Sequence, residues 1–102
     1  MKTFQQKILD LIKKIPKGKI TTYKILAEQL NCKAYRAVGT ACRKNKFAPV
    51  IPCHRVINSN GFVGNYSRKD GIKTKIQLLK KEGIPIQNKK IVRFEKFLFK
   101  FE

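Results

Sequence analysis

Apolar residues recur every three or four positions near the start of the chain, where Ile8, Leu11, Ile12 and Ile15 fall on one side of a helix. Thr3 followed by Gln6 predicts a capping box at its start, and Pro16-Lys17-Gly18 stops it. After Ile20, Thr22 is placed to cap a second helix in which Tyr23, Leu26, Ala27 and Leu30 share a face, ending near Asn31-Cys32-Lys33. A third helix, Ala34 to about Lys44, follows almost at once. Two helices joined by so short a turn, with Lys33, Arg36, Arg43 and Lys44 on the second, predict a helix-turn-helix over residues 22–44.

Phe47 to Ile51 reads as an extended apolar segment leading into Pro52, whose ring fixes φ and removes a donor. Val56-Ile57 is a buried run, Asn58-Ser59-Asn60-Gly61 a turn, and Phe62 to Tyr66 precedes a polar loop, Ser67 to Gly71. Ile72, Ile76 and Leu79 mark a last helix, with Lys80 and Lys81 in its final turn and Gly83 as its left-handed stop. The tail from Pro85 to Glu102 holds four of the seven Phe residues. Phe97, Phe99 and Phe101 alternate as in a strand, whereas Phe94, Leu98 and Phe101 fit a helix, so periodicity leaves both open. Core cover is the expected role of this tail, with a self-association surface as the alternative.

A chain of 102 residues makes one domain, able to bury a core without disulfides or metals. Its 24 Lys and Arg against 6 Asp and Glu leave a net charge of +18, which calls for a polyanionic partner: nucleic acid first, an anionic membrane second. A lysine-rich proteome explains this less well, since ion-rich surfaces normally raise Glu together with Lys. Cys32, Cys42 and Cys53 are an odd set behind an N-terminus without a secretory pattern, which predicts a reducing, cytoplasmic location, or a nuclear one in a eukaryote. Their spacings match no paired Cys-x-x-Cys site, so no metal is expected. No apolar run approaches the roughly 20 residues that cross a bilayer.

The candidate chemistry lies in Pro52-Cys53-His54-Arg55-Val56-Ile57, which holds the only histidine. Thiolate is the nucleophilic form of cysteine, and a neighbouring imidazole or guanidinium favours it. The alternative is a buried Cys packing as a small hydrophobe. Adjacent side chains in a regular helix or strand diverge, so Cys53 and His54 need an irregular turn or a bridging water to communicate. Glu82 stands at the negative end of a helix, which costs on the order of 0.3–1 kcal/mol unless neighbouring lysines or a functional partner offset it. It is the preferred group to orient His54; the alternative is a solvated Glu beside two Lys. Ala34, Ala37, Gly39, Thr40 and Ala41 keep the third helix thin while Arg36 projects a long cation, which suits entry into a DNA groove and intrusion into the base stack. A small-residue helix packed inside the protein would share that composition.

Taken together, Ile20-Thr21-Thr22-Tyr23, Arg36-Ala37-Val38-Gly39, Arg43, Asn45, Pro52 to Ile57, Gly61, Val63-Gly64-Asn65-Tyr66-Ser67, Leu78-Leu79 and Glu82-Gly83 resemble the O6-alkylguanine-DNA alkyltransferases, also called methylated-DNA–protein-cysteine methyltransferases. The resemblance covers their DNA-binding and catalytic domain. It implies a mainly α fold with short strands, a single winged helix-turn-helix-like domain over residues 1–84. Within it lies an active-site segment, 49–68, and the basic Phe-rich extension 85–102 packs on it.

It also implies a self-inactivating reaction without a cofactor, in which Cys53 takes the alkyl group from O6 of guanine in double-stranded DNA. Glu82 would orient His54, which deprotonates Cys53 through a water held by Asn45. The nucleotide must leave the duplex, at a few kcal/mol of lost stacking. Arg36 would fill the gap, and Tyr23 would crowd the phosphate and help protonate the leaving guanine. Thr22, Ala34, Tyr35 and Gly39 would complete the DNA-facing surface, and Pro49, Val56, Tyr66 and Ser67 the base pocket. A monomer without membrane contact is expected. The chain departs from the family at Tyr35, usually a small residue, at Thr40, often glycine, and in a longer basic loop after Ser67.

Two other readings compete. Non-catalytic alkyltransferase-like proteins bind lesions but commonly carry Trp at the nucleophile position, which Cys53 argues against. A major-groove regulator would need base-reading polar side chains where Ala34 and Tyr35 stand.

Overall fold

In the computed structural model, residues 2–44, 51–64 and 71–101 are described. The first helix, α1 (Phe4–Lys13), starts at the expected capping box: the Gln6 amide donates to Thr3 Oγ1 at 3.1 Å, and the Thr3 amide donates to the Gln6 side chain at 2.9 Å. Strand β1 (Thr21–Thr22) runs directly into α2 (Tyr23–Gln29), where Thr22 Oγ1 accepts from the Ile25 amide. Asn31 closes α2 at φ 54. Its amide bonds the Glu28 carbonyl and the Cys32 amide bonds that of Ala27, a Schellman closure that leaves only a tight turn before α3 (Tyr35–Arg43).

Strand β2 (Val56–Ile57) pairs in parallel with β1, Thr21 opposite Val56 and Thr22 opposite Ile57. Alternate strand residues face opposite ways. Val56 accordingly packs with Ile8, Ile12, Leu26, Val38 and Cys53 in one core cluster, while Ile57 packs with Ile20, Val63, Leu79, Ile84 and Ile91 in a second. The segment carrying Cys53 therefore lies in the seam between the two halves of the core. Helix α4 (Gly71–Lys81) ends as expected at Gly83, φ 86, with amide bonds from Gly83 to Lys80 and from Ile84 to Leu79.

Neither period proposed for the tail describes it. It forms a hairpin, β3 (Ile86–Gln87) with β4 (Lys90–Ile91), then a 3₁₀ turn, Phe94–Phe97. Leu98 then bridges to Ile20, whose amide and carbonyl bond Phe97 and Phe99 at 2.8 Å each. Phe94, Phe97 and Leu98 cover the second cluster and Phe101 the first, so the aromatics are divided between two surfaces and no single period fits. Among the described residues, no helix is long and apolar enough to cross a membrane.

Candidate active site

Pro52 at φ −83 and ψ 65, with the Cys53 amide bonded to the Ile51 carbonyl at 2.8 Å, forms an inverse γ-turn, which the proline ring favours. A single 3₁₀ turn, Cys53–Arg55, follows at once. This is the irregular backbone that an adjacent Cys and His require, and it buries both: Cys53 is 3% exposed and His54 2%.

His54 Nε2 lies 2.9 Å from Glu82 Oε2. The same carboxylate takes a two-pronged bond from Arg55, whose Nε donates to Oε1 at 2.8 Å and whose Nη2 donates to Oε2 at 2.6 Å. Arg55 Nη1 donates to the Ile15 carbonyl at 2.8 Å, so one guanidinium joins the end of α1, the Cys53–Arg55 turn and the end of α4. Arg55, not Lys80 or Lys81, is the cation that offsets a carboxylate at the helix C-terminus. Burial would raise the Glu82 carboxyl, but the bonds from Arg55 and His54 outweigh it and hold the group below its ordinary range. Burial lowers the His54 imidazole more than Glu82 raises it. At neutral pH the ring is therefore uncharged, and since an ionised carboxylate only accepts, Nε2 carries the proton and Nδ1 is the basic nitrogen.

Tyr23, Cys42 and Cys53 pack in the first core cluster, with Lys75 against the Tyr23 ring. Lys75 is fully buried, with Nζ 5.8 Å from the centre of the Tyr23 ring. Burial lowers its amine to about 8, against the thiols of Cys42 and Cys53, which raise it. Burial pushes the Cys42 thiol up to about 12 and raises the Tyr23 hydroxyl, each reinforced by Cys53. Sequence reasoning missed Lys75; its one signal was a lysine three residues after Ile72 and four before Leu79, on the apolar side of α4.

A pH dependence follows. The unfolded Lys75 amine holds its proton up to its ordinary 10.5, the folded one only to about 8, so stability rises as pH passes 8. Cys42 is raised from 9.0, so its contribution falls as pH passes 9. The urea midpoint is expected to climb between pH 8 and 9, by on the order of 1 kcal/mol in unfolding free energy, and Lys75→Met to remove the climb.

On the outer face, Ala34, Arg36 and Ala37 are exposed, Tyr35 is 42% exposed, and the flank of Gly39 is open, with no atom within 4 Å of an added Cβ. Tyr23, Lys24, Tyr35, Arg36, Gly39 and the Asn58–Asn60 turn line a groove on this face. Thr22 is buried, its hydroxyl engaged in capping α2, and Val56 is buried in β2. The structure thus sets Glu82 against His54, the residue after Cys53, while Cys53 packs with Val38, Ala41 and Cys42 on the buried side of α3. Asn45, Pro49, Tyr66 and Ser67 lie outside the described residues. Among those described, no group of three or more His, Cys, Asp or Glu side chains could hold a metal.

A family model described as "6-O-methylguanine DNA methyltransferase, DNA binding domain" matches residues 3–84. Proteins named methylated-DNA--protein-cysteine methyltransferase are similar: that of Candida glabrata is 44% identical over 86% of this chain and 42% of its own length, and that of Saccharolobus solfataricus 47% identical over 81% and 52%. The chain thus spans about half the length of these curated relatives. Among solved structures, Mycobacterium tuberculosis OGT in complex with DNA superposes with a TM-score of 0.74 at 37% identity, over 80% of this chain and 50% of that one. S. pombe Atl1, in complex with damaged DNA containing O6-carboxymethylguanine, superposes with a TM-score of 0.84 at 27% identity, over 98% of this chain and 99% of that one. With 98% of the chain covered, that likeness extends into the Phe-rich tail.

Proposed function

Because the chain belongs to the 6-O-methylguanine DNA methyltransferase family, whose DNA-binding domain it carries, we propose that it repairs O6-alkylguanine in duplex DNA by moving the alkyl group to its own Cys53. The supporting observation is the buried Cys53 beside a neutral His54 that Glu82 and Arg55 hold in place. In this reading His54 Nδ1 takes the thiol proton through a water, which Asn45 helps to hold. Cys53 Sγ then bonds to the alkyl carbon as the carbon–O6 bond breaks, and the electron pair passes to guanine, which takes up a proton. The raised Tyr23 hydroxyl stays protonated and is available to supply it. Arg36 and the thin exposed face of α3 enter the groove and stabilise the rotated-out nucleotide. Tyr66, Ser67, Pro49 and Val56 line its pocket. No step regenerates the thiol, so each molecule reacts once.

A second reading, lesion binding without transfer, is favoured by the end-to-end likeness to S. pombe Atl1. The retained Cys53 favours transfer. With damaged duplex in excess, loss of O6-methylguanine should plateau at one equivalent per protein. Continued turnover would contradict the single-use step, and tight binding with no loss would favour the second reading.

A further inference from the structure

The groove beside α3 is bounded on its far side by the Asn58–Asn60 turn, and the residues that follow that turn, 61–63, pair alongside the β3–β4 hairpin. The Ile91 amide donates to the Gly61 carbonyl at 2.9 Å, the Val63 amide donates to that of Lys89 at 2.9 Å, and Phe62 bridges antiparallel to Lys90. The junction is closely packed: Gly61 stands at φ 91, and an added Cβ would meet the Phe94 ring at 2.7 Å. The hairpin is therefore the next strand pair along from the groove, fixed in its relation to it.

Its outer surface is cationic. Residues 84–93 contain two lysines and an arginine and no acid, and Lys89, Lys90 and Arg93 are all exposed. Asn88, Lys90 and Arg93 share a concave surface with Phe62, whose ring lies 5.6 Å from Lys90 Nζ. Two of these cations also occupy backbone that favours glycine. Asn88 and Lys89 form the two-residue hairpin turn at φ 53 and 63, where Asn-Gly is the unstrained choice, and Arg93 stands at φ 54. Neither exposed side chain offsets that strain by core packing, so their charge is the feature left to account for their placement.

From this we infer that the β3–β4 hairpin is a second phosphate-contacting element, a basic flank beside the groove that widens the footprint on duplex DNA. The inference rests on the reading of duplex DNA as the partner. Each phosphate neutralised contributes about 0.9 to the slope of log affinity against log salt, so three cations contribute about 2–3.

The test is binding of the full chain to an undamaged duplex across a salt series, comparing wild type with Lys89→Gly/Lys90→Gln/Arg93→Gln and, in parallel, Arg36→Ala. The triple variant is expected to flatten the slope by about 2–3 and to weaken low-salt binding at least about tenfold. Lys89→Gly alone, which restores Asn-Gly at the tip and relieves its strain, should keep the fold and flatten the slope by about 1. An unchanged slope for both hairpin variants overturns the inference. If Arg36→Ala weakens binding while they do not, the hairpin assignment alone fails; if none of the three matters, duplex DNA as partner fails with it. Hairpin-dependent binding to anionic vesicles with the duplex slope unchanged would reassign the surface to lipid.

Discussion

Arg55→Ala is expected to destabilise the folded chain by about 3–5 kcal/mol, the range for breaking one side of a buried ion pair. The loss exceeds that of any single helix cap, at about 1 kcal/mol, because three things fail together. Glu82 keeps a largely buried charge without its two-pronged partner, the Ile15 carbonyl loses its donor, and the ends of α1 and α4 lose their tie to the Cys53–Arg55 turn. Urea unfolding at pH 7 measures it. A loss below about 1 kcal/mol would mean that the pair behaves as a surface ion pair. Acid should expose the same dependence. The Glu82 carboxyl is lowered, so its contribution is complete above the ordinary carboxylate range and disappears as pH falls through the folded value. His54 is also lowered, so its unfolded form gains a proton first, below about 6.5, and destabilises the fold in the same direction.

The second large effect is on rate. Glu82→Gln keeps the volume of the side chain and an oxygen that can accept from His54, but removes the charge that holds Nε2 protonated and Nδ1 basic. Alkyl transfer in a single turnover should slow by about 10²–10⁴, the usual worth of a positioned general base, while duplex affinity stays within about twofold because α3 is untouched. A variant that reacts as fast as wild type would remove Glu82 from the mechanism. A variant that is slow only because it is misfolded would be recognised by its lost duplex affinity.

How far the sequence disclosed this arrangement depends on how local each interaction is. The capping box at Thr3, the Thr22 cap and the Gly83 stop involve residues one turn apart, so their spacing carried the information. The meeting of His54 with Glu82 was also anticipated, because few acids were available and Glu82 was otherwise misplaced. The role of Arg55 was not. It depends on the ends of α1 and α4 converging on one turn, across sequence separations of 40 and 27 residues that no local pattern encodes. Lys75 escaped for a related reason: hydrophobic patterning assigns lysine to solvent, and only the packing of α4 against the Tyr23 and Cys53 side of the core puts its amine inside. The tail resisted because its four Phe residues lie in a 3₁₀ turn and the irregular segment after it, between two clusters, and share no common period.

The central claim is that Cys53 accepts the alkyl group, and the most direct measurement is peptide mass after the full chain is mixed with a duplex carrying O6-methylguanine. One methyl group on the peptide containing Cys53, matched by restored guanine and absent in Cys53→Ala, is the predicted result. A folded protein with a reduced thiol that binds the duplex yet leaves both the lesion and that peptide unchanged would contradict it.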